Sequence, residues 1–231
     1  MIPALIAVTL LAAPFDRSWT FDVKGSPKVK VGNINGRIEV EGGGRQVEAV
    51  AHGQEAGDWH AEAVQEGDTI RVSVCCDDSC GAGRKRSRRG NHDCGDGRID
   101  LKLTVPAGTE LSAANVSGSI KVTGVTGPQS LTNVSGSTRS EGSEGEVTVN
   151  TVSGNVELSP RVVGDTSLSS VSGEVDLKVP RSASATVKLS SLSGRIRGEV
   201  GEGSDTRRKI GSGAAVVTAS SVSGGVTLSE R

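Results

Sequence analysis

The chain has 231 residues, of which 32 are glycine and only 2% aromatic, with no tyrosine. That composition excludes a thick globular core and favours narrow layers filled by Val, Ile, Leu and Ala. With 26 basic and 27 acidic residues the formal net charge is −1, so the whole-molecule field selects no polyion and any electrostatic role is local.

Residues 1–13 (MIPALIAVTLLAA) form an uncharged apolar run that ends in small residues. The run is shorter than the roughly 20 residues of a membrane-spanning helix and is predicted to be a secretory signal peptide; the competing reading is a buried first strand of a cytosolic protein. No cysteine follows it as in a lipoprotein signal, and no second apolar segment offers a transmembrane anchor. Residues 14–110 are predicted as an N-terminal β region. In it, Ile34, Gly36, Ile38 and Val40 keep a period of two and read as an early coil. Alternating strands follow at Val47/Ala49/Ala51, Ile70/Val72/Val74 and Ile99/Leu101/Leu103/Val105, and Val105-Pro106-Ala107-Gly108 stops the last of them.

All four cysteines, Cys75, Cys76, Cys80 and Cys94, fall in the segment 75–98. In an exported chain such a cluster reads as a disulfide staple. Cys75 and Cys76 extend one strand and point to opposite faces, so each is expected to pair with one of Cys80 and Cys94. A zinc site that adds His92 is the competing reading, but its spacings lack the usual paired Cys-x2-4-Cys or His-x3-5-His form; free thiols are the third. Inside the loop, Arg84, Lys85, Arg86, Arg88 and Arg89 form a basic run between glycines. It reads either as a solvated loop offset by Asp77, Asp78, Asp93 and Asp96, or as a grip for phosphate or carboxylate on an anionic polymer. No aromatic is interleaved for base stacking, which argues against sequence-specific nucleic-acid binding.

Residues 111–231 repeat one phrase six times. Its glycines are Gly118, Gly136, Gly154, Gly173, Gly194 and Gly224, at separations of 18, 18, 19, 21 and 30 residues, and Gly36 is an earlier copy. A near-constant period means stacked units. Apolar residues two before, two after and usually four after each glycine (Val152, Val156 and Leu158 in one copy) predict a half-buried strand with the glycine facing in, where the interior is too narrow for a side chain, and the preceding serine facing out. A further inward position lies five residues before the glycine (Leu131, Val149, Leu168), and the step of three from there predicts a corner or bulge between them. A second corner is expected at Gly124, Gly142 and Pro160. About six coils at roughly 4.8 Å would make a rod on the order of 30 Å long. Residues 201–205 read as an inserted surface loop that lengthens the last period, and Val226–Arg231 as a terminal edge open to end-to-end pairing.

The stretches Asn33–Gly42, Leu103–Thr109 and Asn115–Gly127 resemble the bacterial putative-adhesin family, a domain of unknown function built of β-strand repeats. The resemblance spans roughly residues 20 to 230. It implies a β-solenoid-like fold on an exported envelope protein and no established activity; the Cys-rich basic insert departs from the family pattern.

The fold class expected is therefore all-β: an elongated β-solenoid or β-helix-like stack of roughly 18–21-residue coils with an irregular N-terminal β cap. No catalytic, cofactor or metal site is predicted. His52, His60 and His92 lie in separate segments, and the outward serines are six equivalent surface residues. Three residues after each glycine come Lys121, Arg139, Glu157, Asp176, Arg197 and Thr227, so Glu157 and Asp176 are expected to be neighbours on adjacent coils. Such a pair raises a second reading, a carbohydrate-active lyase or hydrolase. The first reading is an exported, non-enzymatic, adhesin-like binding or scaffold protein. Its expected location is the periplasm, cell surface or extracellular space, and its expected partner an anionic envelope polymer or surface protein. The pattern sets no oligomeric state and no solenoid handedness.

Overall fold

In a computed structural model, residues 14–54, 59–76, 97–198 and 205–231 are described. They form twenty strands and no helix. The strands are β1 (Pro14–Phe21), β2 (Lys28–Asn35), β3 (Ile38–Gly42), β4 (Val47–Gln54), β5 (Trp59–Glu66), β6 (Thr69–Cys76) and β7 (Arg98–Val105), followed by β8 (Glu110–Ser117), β9 (Ile120–Thr123), β10 (Gln129–Ser135), β11 (Thr138–Glu141), β12 (Val147–Ser153) and β13 (Val156–Ser159). β14 (Thr166–Ser172), β15 (Val175–Val179), β16 (Ala185–Ser191), β17 (Ile196–Gly198), β18 (Asp205–Ile210), β19 (Ala215–Ser221) and β20 (Val226–Glu230) complete the chain.

A coil is one longer strand, a glycine corner, one shorter strand and a turn. Stacking the coils makes two ten-stranded sheets, one of the short strands with the eight-residue β1, β4 and β7 at its end, in the order β1-β4-β7-β3-β9-β11-β13-β15-β20-β17, the other of the long strands in the order β18-β16-β19-β14-β12-β10-β8-β2-β6-β5. The fold is β-solenoid-like, as the period implied. Pairing is parallel from coil to coil, as in β10 between β8 and β12 and in β11 between β9 and β13. Antiparallel strands cover the two ends: β5 on β6 and β1–β4 on β7 at one, β18 on β16 at the other. Ten strands at about 4.8 Å make a stack about 43 Å long, longer than the repeat alone predicted because both terminal regions join the same sheets.

The core between the sheets is thin and aliphatic. Leu131, Val149 and Leu168 of the long strands face Val122, Leu158 and Leu177 of the short ones, all at most 1% exposed, which explains how the chain dispenses with aromatics.

The predicted phase is wrong at one position, and the error matters. Val116, Val134, Val152, Val171, Leu192 and Val222, read as inward, are 43 to 80% exposed, and Ile34 is 39% exposed. The inward position is the polar residue before each of them: Asn33, Asn115, Asn133, Thr151, Ser170, Ser191 and Ser221 are all buried. Alternation therefore runs unbroken from Leu131 to Asn133, and the corner lies at the Ser-Gly step rather than upstream of it. At Asn115, Asn133, Ser191 and Ser221 the reason is hydrogen bonding to a corner glycine, whereas Asn33 donates to the Ile99 carbonyl and the buried hydroxyls of Thr151 and Ser170 have no partner among the described residues. The glycine carbonyls at the corner fall outside the regular ladder, and Nδ2 of Asn115 donates to the Gly36 carbonyl at 2.9 Å, Nδ2 of Asn133 to Gly118 at 3.0 Å, Oγ of Ser221 to Gly173 at 3.2 Å and Oγ of Ser191 to Gly224 at 2.8 Å. A buried acceptor left unpaired costs more than a valine left exposed.

The glycines themselves are required for a different reason from the one predicted. A Cβ on any of the six would lie closer than 3.0 Å to the carbonyl of the corner glycine in the adjacent coil, and one on Gly36 would meet the Ile99 carbonyl. The close approach runs along the stack, not into a narrow interior. The second corners are as predicted: Gly124 and Gly142, with φ of +69° and +74°, and Pro160 follow the short strands.

Coil order also departs from chain order. The coil of β19 and β20 inserts between that of β14 and β15 and that of β16 and β17. Val226–Glu230 is thus an internal strand with neighbours on both sides, not the open edge expected. The insertion before it is more than a surface loop: Asp205 opens β18, which caps the sheet.

Candidate functional site

The outer faces of the two sheets differ in charge. On the short-strand sheet, outward residues form an ion ladder across the coils: Lys121 Nζ lies 3.2 Å from Glu39, and Glu157 accepts from Arg139 Nη1 and Lys178 Nζ, each at 2.6 Å. Glu157 and Asp176 are in register on adjacent strands, as expected. The Lys178 hydrogen bond, more than the Arg139 charge, holds the Glu157 carboxyl below its ordinary range against the opposing pull of burial. Glu157 is thereby kept ionised. A general acid would need the opposite shift.

The long-strand sheet presents hydroxyls and small side chains. β10, β12, β14 and β19, four neighbours in the sheet, contain no Asp, Glu, Lys or Arg. Outward rows of Ser130, Thr148, Ser167 and Thr218, and of Thr132, Asn150, Ser169 and Ser220, cross them in register. Along the corner side of this face stand Ile34, Val116, Val134, Val152, Val171, Val222 and Leu192, in the order of their strands, as a continuous exposed apolar ridge. Two shallow depressions of about 370 Å³ each lie on the same face. One runs beside the ridge over Gly32 and Ala114, where outward positions carry almost no side chain; the other lies over Lys30, Ser112 and Ser130.

Beyond the uncharged strands, Lys188 of β16 stands directly opposite Arg207 of β18, with Lys209 two residues along the same strand and Asp205 on the other side. Lys188, Arg207 and Lys209 are exposed, and none makes an ion pair among the described residues. Like charges directly across strands are unfavourable, so nothing in the fold itself calls for the arrangement.

Of the residues singled out in the sequence, the seven corner glycines come together in one axial line. Cys75 and Cys76 end β6 on opposite faces, Cys75 lining the depression beside the ridge and Cys76 packing on the core. Cys80, Cys94, His92, the basic residues 84–89 and the leader-like residues 1–13 lie outside the described residues. His60 faces Cys75 across β5 and β6, whereas His52 pairs with Asp16 between β4 and β1; the hydrogen bond and charge of Asp16 raise its pKa. Among the described residues no three His, Cys, Asp or Glu side chains converge on a metal position. The apolar ridge, the uncharged rows and the Lys188–Arg207–Lys209 group went unread in the sequence. The available signal was Asn115 and Asn133, polar residues in phase with Ala113 and Leu131, which required the valines after them to turn outward.

A family model described as Toastrack DUF4097 matches residues 22–229. Among solved structures, a "putative cell adhesion protein" from Clostridium sporogenes superposes with a TM-score of 0.56 at 12% identity, covering 95% of this chain and 100% of its own. A "putative adhesin" from Bacteroides fragilis gives a TM-score of 0.43 at 10% identity over 95% and 99% of the two chains. No curated protein matches the chain.

Proposed function

Because this chain belongs to the Toastrack DUF4097 family and shares its fold with a structure described as a "putative cell adhesion protein", we propose that it is an exported, non-enzymatic, adhesin-like binding protein of the bacterial envelope. The observation that carries the reading is the apolar ridge. Seven aligned side chains exposed by 39 to 80% along one edge form a contiguous patch, which soluble surfaces avoid unless something docks there. Nothing comparable supports turnover, since Glu157, half of the carboxylate pair, is fixed in its ionised form by two cations. Residues 1–13 serve as the export signal, and Cys75 and Cys76 pair with Cys80 and Cys94 to staple the insert, with no metal. Held on that staple, Arg84, Lys85, Arg86, Arg88 and Arg89 provide a second contact to an anionic envelope polymer.

The test is binding of the oxidised chain to a panel of anionic and neutral envelope polymers and DNA at low and high salt, beside a variant neutralised at residues 84–89. Binding to at least one envelope polymer without preference for DNA supports the reading. Loss with salt and in the variant assigns the contact to the basic run, and retention in both assigns it to the coil faces. Binding to none of the polymers contradicts it.

A further inference from the structure

We propose that the outer face of the long-strand sheet is a docking surface for a sparsely charged acidic polysaccharide, anchored at one end by Lys188, Arg207 and Lys209. This rests on the binding reading above and names the face and the class of ligand.

In a chain with 23% charged residues, four adjacent strands with none are a marked depletion, and depletion of charge is what distinguishes the centre of an interface from ordinary surface. What the strands offer instead is regular. Ser130, Thr148, Ser167 and Thr218 in one row and Thr132, Asn150, Ser169 and Ser220 in the next repeat at the coil spacing. Each hydroxyl both donates and accepts, so the rows match a ligand whose own groups do the same along its length, as the hydroxyls of a sugar chain do. The ridge beside them supplies an apolar rail for the C–H edges of the rings. One depression deepens this face where Gly32 and Ala114 withdraw, and the other lies over Lys30, Ser112 and Ser130, with Glu110 and Glu146 at its margin.

The three cations supply the remaining chemistry. Lys188 and Arg207 oppose each other with Lys209 beside them and without ion-pair partners among the described residues, an arrangement an incoming carboxylate or phosphate relieves. From β18 to β8 is six strand spacings, about 29 Å, room for several sugar units with their acidic group at the cationic end.

The same geometry excludes the alternatives. Nucleic acid carries a phosphate about every 3.4 Å of strand, and would lay about four uncompensated charges over the uncharged strands. A second copy of this chain would set the cations against their own counterpart, or against Lys30 and Arg71, which also stand directly opposite one another, under either two-fold arrangement. A tight protein partner would want aromatic or arginine anchors at the centre of the patch, and the centre holds Ser, Thr and Asn.

The experiment uses the full chain with residues 84–89 neutralised, so that the basic run contributes nothing. Retention is measured on immobilised dextran, lightly carboxymethylated dextran and heparin. The expected result is the strongest binding to lightly carboxymethylated dextran, weakened about tenfold or more both by Lys188→Ala/Arg207→Ala/Lys209→Ala and by Thr132→Glu/Asn150→Glu, and unchanged by Lys121→Ala on the opposite face. Unfolding midpoints of the variants confirm that each still folds. Stronger binding to heparin, equal binding to dextran, or indifference to the three-alanine variant overturns the proposal. So does self-association that Thr132→Glu/Asn150→Glu abolishes, which assigns the face to a second copy. If envelope polymers bind the native chain but only through residues 84–89, this inference falls while the binding function stands; if nothing binds either form, both fall.

Discussion

Gly136→Ala is expected to be among the most damaging single-atom additions to this protein. The new Cβ would sit closer than 3.0 Å to the Gly118 carbonyl, at a backbone φ of +119° that side chains rarely adopt. Relief requires adjacent coils to separate by about 1.5 Å, because a carbon and an oxygen are comfortable only near 3.5 Å. That separation strains three hydrogen bonds that cross the corner between these two coils: Gly118 N–H to Ser135 at 2.9 Å, Ile120 N–H to Ser137 at 2.9 Å and Asn133 Nδ2 to Gly118 at 3.0 Å. At about 1 kcal/mol each, plus about 1–2 kcal/mol for the backbone conformation, the cost is about 4 kcal/mol, and at about 2–4 °C per kcal/mol for a chain of this size the melting temperature falls by about 8–16 °C. Two companions separate the causes in urea titrations. Gly43 has a φ of +114° with nothing within 4 Å of its would-be Cβ, so Gly43→Ala carries the conformational cost alone, about 1–2 kcal/mol. Gly154 has the same crowding against Gly136 without a positive φ, and two hydrogen bonds cross that corner, Gly136 N–H to Ser153 and Thr138 N–H to Asn155, so Gly154→Ala carries the packing cost alone, about 2 kcal/mol. A loss below about 1 kcal/mol for both Gly136→Ala and Gly154→Ala would refute the axial close-approach argument.

The corrected phase makes Val134→Ser nearly neutral, within about 0.5 kcal/mol, whereas Leu131→Ala, at 0% exposed, costs about 2–5 kcal/mol in the same titration; the reverse ranking would restore the inward valine. Asn133→Ala leaves the Gly118 carbonyl unpaired and costs about 1–3 kcal/mol, with Asn133→Ser expected to recover part of it, as Ser191 and Ser221 manage at equivalent corners. Glu157→Gln is expected to lower stability by about 0.5–1 kcal/mol at neutral pH. Since the folded pKa is depressed by Lys178 and Arg139, the wild-type advantage is complete above the ordinary glutamate value and vanishes as pH falls through the lowered one, so melting curves of the two proteins converge in acid. His52 should titrate by NMR above the ordinary histidine value and move back down in Asp16→Asn.

How much of this was legible in the sequence depends on what each residue's neighbours were. The coil, its period and the second corners at Gly124, Gly142 and Pro160 are local, and the spacing of glycines and aliphatics carried them. The inward–outward assignment at Val134 failed because hydrophobicity was allowed to outrank hydrogen bonding: the deciding partner of Asn133 is Gly118 on another coil, and nothing within the coil announces it. Coil order is likewise non-local. β19 and β14 pair through Thr218–Ser167 and Ser220–Ser169, contacts that any two of these Ser- and Thr-rich strands could offer, so succession in the chain was a poor guide to succession in the stack. The cationic group depended on β18 folding back antiparallel on β16, and only then do Arg207 and Lys188, far apart in the chain, meet. The Glu157–Asp176 pairing was readable since it follows from the period alone, yet its neutralisation needed Lys178, which the register brings in from the next coil.

The claim that matters most is that this chain binds without turning over what it binds. Incubating it with isolated envelope polysaccharide and measuring both retained protein and new chain ends addresses that directly. The proposed binding function predicts retention with no shortening of the polymer, in the wild type and in Glu157→Gln alike. Chain ends that accumulate with the wild type and cease with Glu157→Gln would contradict it, and would make the ion ladder of the short-strand sheet a catalytic face.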